Sequence, residues 1–170
     1  MGVGVNSLRK NSDIDKIRFE RIIVRNYAAH ACAKIFINDM PFLDTVCEYE
    51  KKHISYDKGY EPGYEHCCAA ELYEQIDKAL ATKKKTKIYL LVCGCMVEGC
   101  NSFEAYIHET KKHVILSGFR NYRFAEKKEY NDIDYSKFGE YVFGKSQFMA
   151  EMEKLKSFSH EWQIDWDSQE

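Results

Sequence analysis

Thr86 to Cys93 reads Thr-Lys-Ile-Tyr-Leu-Leu-Val-Cys. The run is nearly all apolar, β-prone and too short for an ordinary helix, so it predicts a strand buried on both faces in the middle of a sheet. Such a strand needs neighbours. Ser102 to His108 alternates Phe103, Ala105 and Ile107 with Glu104, Tyr106 and His108, and an apolar run returns from His113 to Phe119. This predicts an antiparallel hairpin with one wet face, His108 and His113 facing each other beside its turn. Ile17 to Arg25 and Ala33 to Asn38 supply two more β-branched runs.

Helical spacing marks the remaining elements. Phe42, Leu43, Val46 and Cys47 follow Asp39 and Pro41, predicting a helix from about Pro41 to Lys52 with Asp39 as its N-cap. Ala69, Leu72, Tyr73, Ile76, Ala79 and Leu80 trace one face of a second, with Lys83 to Lys85 at its carboxyl end. Phe148, Met152 and Leu155 mark a third between Lys145 and Phe158. Residues 121–140 are polar and Tyr-rich and read as a long loop. The predicted fold class is α+β, a mostly antiparallel sheet with about three helices packed against it.

A chain of 170 residues is the size of one domain, here assigned to residues 15–170 behind a flexible N-terminal lead, 1–14. Two Pro, nine Gly and 24 aromatics (12 Tyr, 10 Phe, 2 Trp) exclude collagenous and disordered classes. No apolar run approaches the roughly 18 residues that cross a bilayer, so no membrane partner is expected. The N-terminus lacks the pattern of a secretory signal, and seven cysteines cannot all pair; both point to the cytoplasm. A net charge of −2 gives no support for nucleic-acid binding. Charge is uneven, however: residues 1–34 carry seven Lys or Arg against three acids, and residues 157–170 carry four acids and no Lys or Arg.

Cys93-Gly94-Cys95-Met96-Val97-Glu98-Gly99-Cys100 is the most distinctive segment. Thiolates at this spacing can reach one zinc ion, with His66, Cys67 and Cys68 the nearest dense supply of a fourth ligand. The plainer expectation is a glycine-bearing strand connection whose thiols pack as small hydrophobes, with no metal. A redox role wants cations or a helix amino end beside the thiols, and Glu98 stands there instead. Six histidines fall in no catalytic signature, and no phosphate loop follows a strand, so the chain reads as a non-enzyme without a cofactor. Two segments look like partner surfaces: Tyr130, Asp132, Asp134 and Tyr135 alternate aromatic with acid, and Glu161, Trp162, Asp165, Trp166 and Asp167 lie on a tail that reads as an edge strand.

Several stretches together resemble a small bacterial protein family. They are Ile37-Asn38-Asp39 with Leu43, Val46 and Glu50; Tyr60-Glu61-Pro62; Leu90-Leu91 with Cys93, Cys95, Gly99 and Cys100; Ser117-Gly118-Phe119; and Asp134-Tyr135-Ser136 through Phe138-Gly139, Val142-Phe143 and Gln147-Phe148. The likeness runs from about Ala33 to Leu155. Asn101, Ser102 and Leu116 stand where the family has Trp, Pro and Trp, and Met96 where it has Gly. The family brings no activity with it. In size and character the chain is similar to immunity proteins of contact-dependent growth inhibition systems. That resemblance implies binding and neutralising a cognate toxin C-terminal domain, most simply a nuclease (RNase), through the aromatic and acidic residues named above. The alternative is a zinc- or thiol-dependent protein centred on Cys93, Cys95 and Cys100, and a third is a nucleic-acid adaptor using the basic lead and Lys83 to Lys87.

Overall fold

The computed structural model describes residues 14–23, 31–53, 63–95, 100–123 and 133–159. Its elements in chain order are β1 (Ile17–Ile23), β2 (Ala31–Ile37), β3 (Met40–Pro41), α1 (Phe42–His53), β4 (Tyr64–His66), α2 (Ala69–Ala81), β5 (Thr86–Cys93), β6 (Asn101–Glu109), β7 (His113–Arg123), β8 (Tyr141–Gly144) and α3 (Lys145–Ser159). They form two antiparallel sheets, β1-β2-β3 and β4-β5-β6-β7-β8. The fold is α+β, as the sequence predicts. No helix among the described residues is long and apolar enough to cross a membrane.

The two sheets meet at both edges. Before β1, the Asp15 N–H donates to the Val142 carbonyl at 2.8 Å in a parallel bridge to β8. After β4, Cys68 bridges to Cys32 of β2, with the Ala33 N–H on the Cys67 carbonyl at 2.9 Å. Among the described residues no strand lies beside the outer edge of β1, and α3 supplies partners there. Gln147 bonds the Ile17 backbone and the buried Glu151 carboxylate accepts the Phe19 N–H at 3.1 Å, which blunts an edge open to other strands.

One core serves both sheets. Phe42, the first residue of α1, lies among Phe103, Phe119, Phe138 and Tyr141 at ring separations of 5.8 to 6.4 Å. Phe148, Met152 and Leu155 of α3 are buried at the predicted i, i+4, i+7 spacing, as are Leu72 and Ile76 of α2. Each such side chain removed from water contributes about 1.5–3 kcal/mol, so residues that are apolar at helical spacing determine which helix faces point inward.

Four expectations need correction. Asp39 does not cap α1: Asn38 and Asp39 have φ of 52° and 64° and form the two-residue turn of a β2–β3 hairpin, in which Phe36 pairs with Pro41. The Asn38 side chain fixes this turn, accepting the Lys16 N–H at 2.9 Å and donating to Asp15 at 2.7 Å. β5 is interior but second in its sheet, beside the three-residue β4, and β6 is the middle strand. His108 and His113 do not face each other, because His108 pairs with Ile115 and His113 with Gly144 of β8. Finally, residues 121–140 are not one loop: Asn121 to Arg123 extend β7. The expected lead 1–14 lies, all but Ile14, outside the described residues, as does the tail strand over 160–170.

Candidate metal centre

The antiparallel pairing of β5 with β6 brings the cysteine motif together. Val92 pairs with Ser102, so Cys93 at the end of β5 and Cys100 just before β6 lie at the same end of the two strands. Cys95 follows Cys93 in a turn and completes the set. The three sulfurs lie within 4.8 Å of one another. Around tetrahedral zinc, Zn–S bonds of about 2.3 Å put sulfurs about 3.8 Å apart, so ligation needs an inward shift of at most about 1 Å per pair.

The thiols do not pack as small hydrophobes. Cys95 is exposed, and Cys93 and Cys100 are half-buried. The Cys95 N–H points at the Cys93 sulfur at 3.5 Å. Hydrogen bonding with the Cys93 and then the Cys95 sulfur pushes the Cys100 thiol up to about 11. A bound dication would replace the thiol protons, since thiolates are the form that ligates metal.

The expected supply of a fourth ligand is not in the cluster. Cys67 is fully buried. Cys68 sits against Cys32, whose thiol is pushed up to about 11 by burial and then by the nearby Cys68. His66 pairs with Leu91, two residues short of Cys93; burial holds its imidazole below the usual range, and its Nδ1 is buried with no hydrogen-bond partner among the described residues.

A second polar centre, which the sequence reading does not single out, lies beside this one. Tyr64, paired with Cys93, donates its hydroxyl to Glu50 of α1 at 2.9 Å, and Tyr135 donates to the same carboxyl oxygen at 2.6 Å. Glu50 is fully buried. Its position, one turn beyond Val46 on the apolar stripe of α1, is the trace it leaves in the sequence.

The proposed partner residues separate accordingly. Tyr135 is 8% exposed, tied to Glu50 and stacked on Tyr49, so it fastens the 133–140 segment to the core and presents no surface contact. Asp134 is exposed, and its carboxylate accepts the Ser136 N–H at 2.8 Å, which holds it below the usual carboxylate range. Tyr130, Asp132, Glu161, Trp162, Asp165, Trp166 and Asp167 lie outside the described residues. Comparison of the chain with protein-family models, with curated proteins and with solved structures finds no match.

Proposed function

We propose that this chain is a thiolate metal-binding protein in which Cys93, Cys95 and Cys100 hold one soft cation, zinc first among them. The convergence of three sulfurs within 4.8 Å at one end of β5 and β6 carries the reading. Three sulfurs fill three of the four positions zinc prefers and suit its borderline-soft character better than that of calcium or magnesium. The ion would tie the β5–β6 connection and fix the end of the five-stranded sheet where Tyr64 reaches Glu50.

The test is metal analysis of the purified chain, followed by zinc titration against a chromophoric chelator for wild type, Cys95→Ser and Cys100→Ser. The expectation is about one equivalent of zinc in wild type and an affinity at least ten-fold weaker in each variant. Wild type without zinc, and with the same weak affinity as the variants, refutes it.

Neutralisation of a toxin domain is the second reading. It draws on the resemblance and, among the described residues, on the exposed carboxylate of Asp134. A pull-down from cells carrying the neighbouring genes tests it, and recovery of no stoichiometric partner removes it.

A further inference from the structure

The five-stranded sheet has a second face that the cysteine site does not use. Phe103, Ala105, Ile107, Val114, Leu116 and Phe119 point into the core. The register places on the opposite face the rows Lys87, Tyr106 and Ser117; Tyr89, Glu104 and Arg120; and Val92, Ser102 and Tyr122. Three tyrosines and two cations thus lie on three adjacent strands, and Lys85, just before β5, joins them with its ammonium 5.3 Å from the Tyr106 ring centre.

The middle of this face is built around one carboxylate. Glu104 is 1% exposed although it is on the expected wet side of the hairpin. Arg120 Nε lies 2.9 Å from it, Lys87 Nζ 3.4 Å, and Ser102 donates at 3.4 Å. Lys87 also lies 5.6 Å from the Tyr89 ring centre. Glu104 therefore acts as an internal counter-charge that holds two long cationic side chains flat against the sheet, between tyrosine rings. Among the described residues, the other carboxylate that the register brings to this face is Glu65, on the edge strand β4. On this face, among the described residues, Lys85, Lys87 and Arg120 stand against Glu104 and Glu65, in a chain whose overall charge is −2.

The geometry points to this face as a binding surface for single-stranded nucleic acid, with Tyr89, Tyr106 and Tyr122 stacking bases and Lys85, Lys87 and Arg120 meeting the backbone phosphates. A sheet that presents aromatic rings on neighbouring strands, edged with cations, fits unpaired bases, whose rings are free to stack, better than it fits a duplex. Tyr89 and Tyr106 are diagonal neighbours, so their side chains stand about 7–8 Å apart at the backbone. Tyr122, 42% exposed on β7, extends the platform across the sheet. The overall charge of −2, which speaks against nucleic-acid binding by the chain as a whole, averages this patch with acids elsewhere.

The probe is a fluorescein-labelled 12-residue oligouridylate titrated with the purified full chain and followed by anisotropy at several salt concentrations. Tyr122→Ala and Lys85→Glu are the variants, since both positions are exposed; circular dichroism confirms that they fold, and either one alone suffices. Wild type is expected to bind in the micromolar range, with affinity falling as salt rises by about 0.7 log units per log unit for each phosphate met. Tyr122→Ala should weaken binding about ten-fold, the usual loss for one stacked base, and Lys85→Glu should weaken it and flatten the salt slope. Three results each overturn the proposal: no binding at 100 micromolar chain in low salt, equal binding by wild type and both variants, or displacement of the oligonucleotide by polyglutamate as readily as by unlabelled oligouridylate.

Discussion

Replacing Tyr135 by Phe removes one hydroxyl and leaves the ring. In the fold that hydroxyl donates at 2.6 Å to Glu50, a carboxyl with no exposure whose same oxygen also accepts from Tyr64 at 2.9 Å. The ring keeps its neighbours, Phe103 at 5.4 Å and Tyr49 at 5.6 Å, so no cavity opens. The loss is then that of one hydrogen bond to a buried acid, about 2 kcal/mol within the usual 1.5–3 for bonds to charged groups. For a chain of this length each kcal/mol moves Tm by about 2–4 °C, so Tyr135→Phe should melt about 4–8 °C lower. Urea unfolding should give a lower midpoint with an unchanged slope. Tyr64→Phe, measured alone and together with Tyr135→Phe, should show non-additive losses, because both hydroxyls share one oxygen. A Tm change below about 1 °C would refute the role of Glu50 as a hub. If the variant instead lost a protein partner at unchanged stability, Tyr135 would be a surface anchor after all.

Asp39→Gly should stabilise the chain. Asp39 holds φ at 64° in the second position of the β2–β3 turn, where glycine carries no left-handed penalty, so a gain of about 0.5–1 kcal/mol and a higher Tm are expected; an unchanged or lower Tm contradicts the turn assignment. Gly118→Ala should destabilise. Gly118 has φ of 61° at the bulge between β6 and β7, and an added Cβ would come 3.0 Å from the Tyr106 ring. About 1–2 kcal/mol from conformation, plus the cost of moving the ring, should lower Tm by at least about 2–4 °C, measured by calorimetry.

What the sequence makes legible here follows from periodicity. α2 and α3 begin and end close to where apolar spacing places them, and β5 to β7 stand where alternation does, because a face that must be buried reports its period directly. The readings that fail depend on one residue's offset. Asn38-Asp39 before Met40-Pro41 looks like the start of a helix, but both residues tolerate positive φ and the chain spends them on a hairpin, delaying α1 to Phe42. The misplaced histidines have a similar origin. Expecting them to pair across the turn requires a hairpin closed directly on His108 and His113, whereas Glu109 pairs with Val114 and the N–H of Thr110 bonds the His113 carbonyl at 2.8 Å, which carries His113 over to β8.

The polar centres show the complementary limit. Cys93, Cys95 and Cys100 are conspicuous by spacing, yet spacing alone leaves open whether their side chains converge; the antiparallel return of β6 on β5 decides it. Glu50 and Glu104 are harder still: Glu104 is an acid on the side of the hairpin whose alternation permits it to be wet, and Glu50 is an acid on an otherwise apolar helical stripe. Both are buried because partners distant in sequence reach them: Tyr64 and Tyr135, 14 and 85 residues from Glu50, and Arg120, 16 residues from Glu104. A buried charge is tolerated only where donors meet it, and donors on other strands are arranged by the sheet register, which no local pattern encodes. Its bond to Glu50 and its stacking on Tyr49 of α1 turn Tyr135, which as text belongs to an acidic and aromatic surface, into a core residue. The register also gathers Tyr89, Tyr106 and Tyr122, scattered over 34 positions, onto one face with Lys87 and Arg120. In this chain the functional candidates are therefore properties of strand pairing. A substitution that shifts the bulge at Gly118 should disturb the Glu104 cluster and the tyrosine face together while leaving the cysteine end of the sheet, pinned by the β4–β5 pairing of Tyr64 with Cys93, in place.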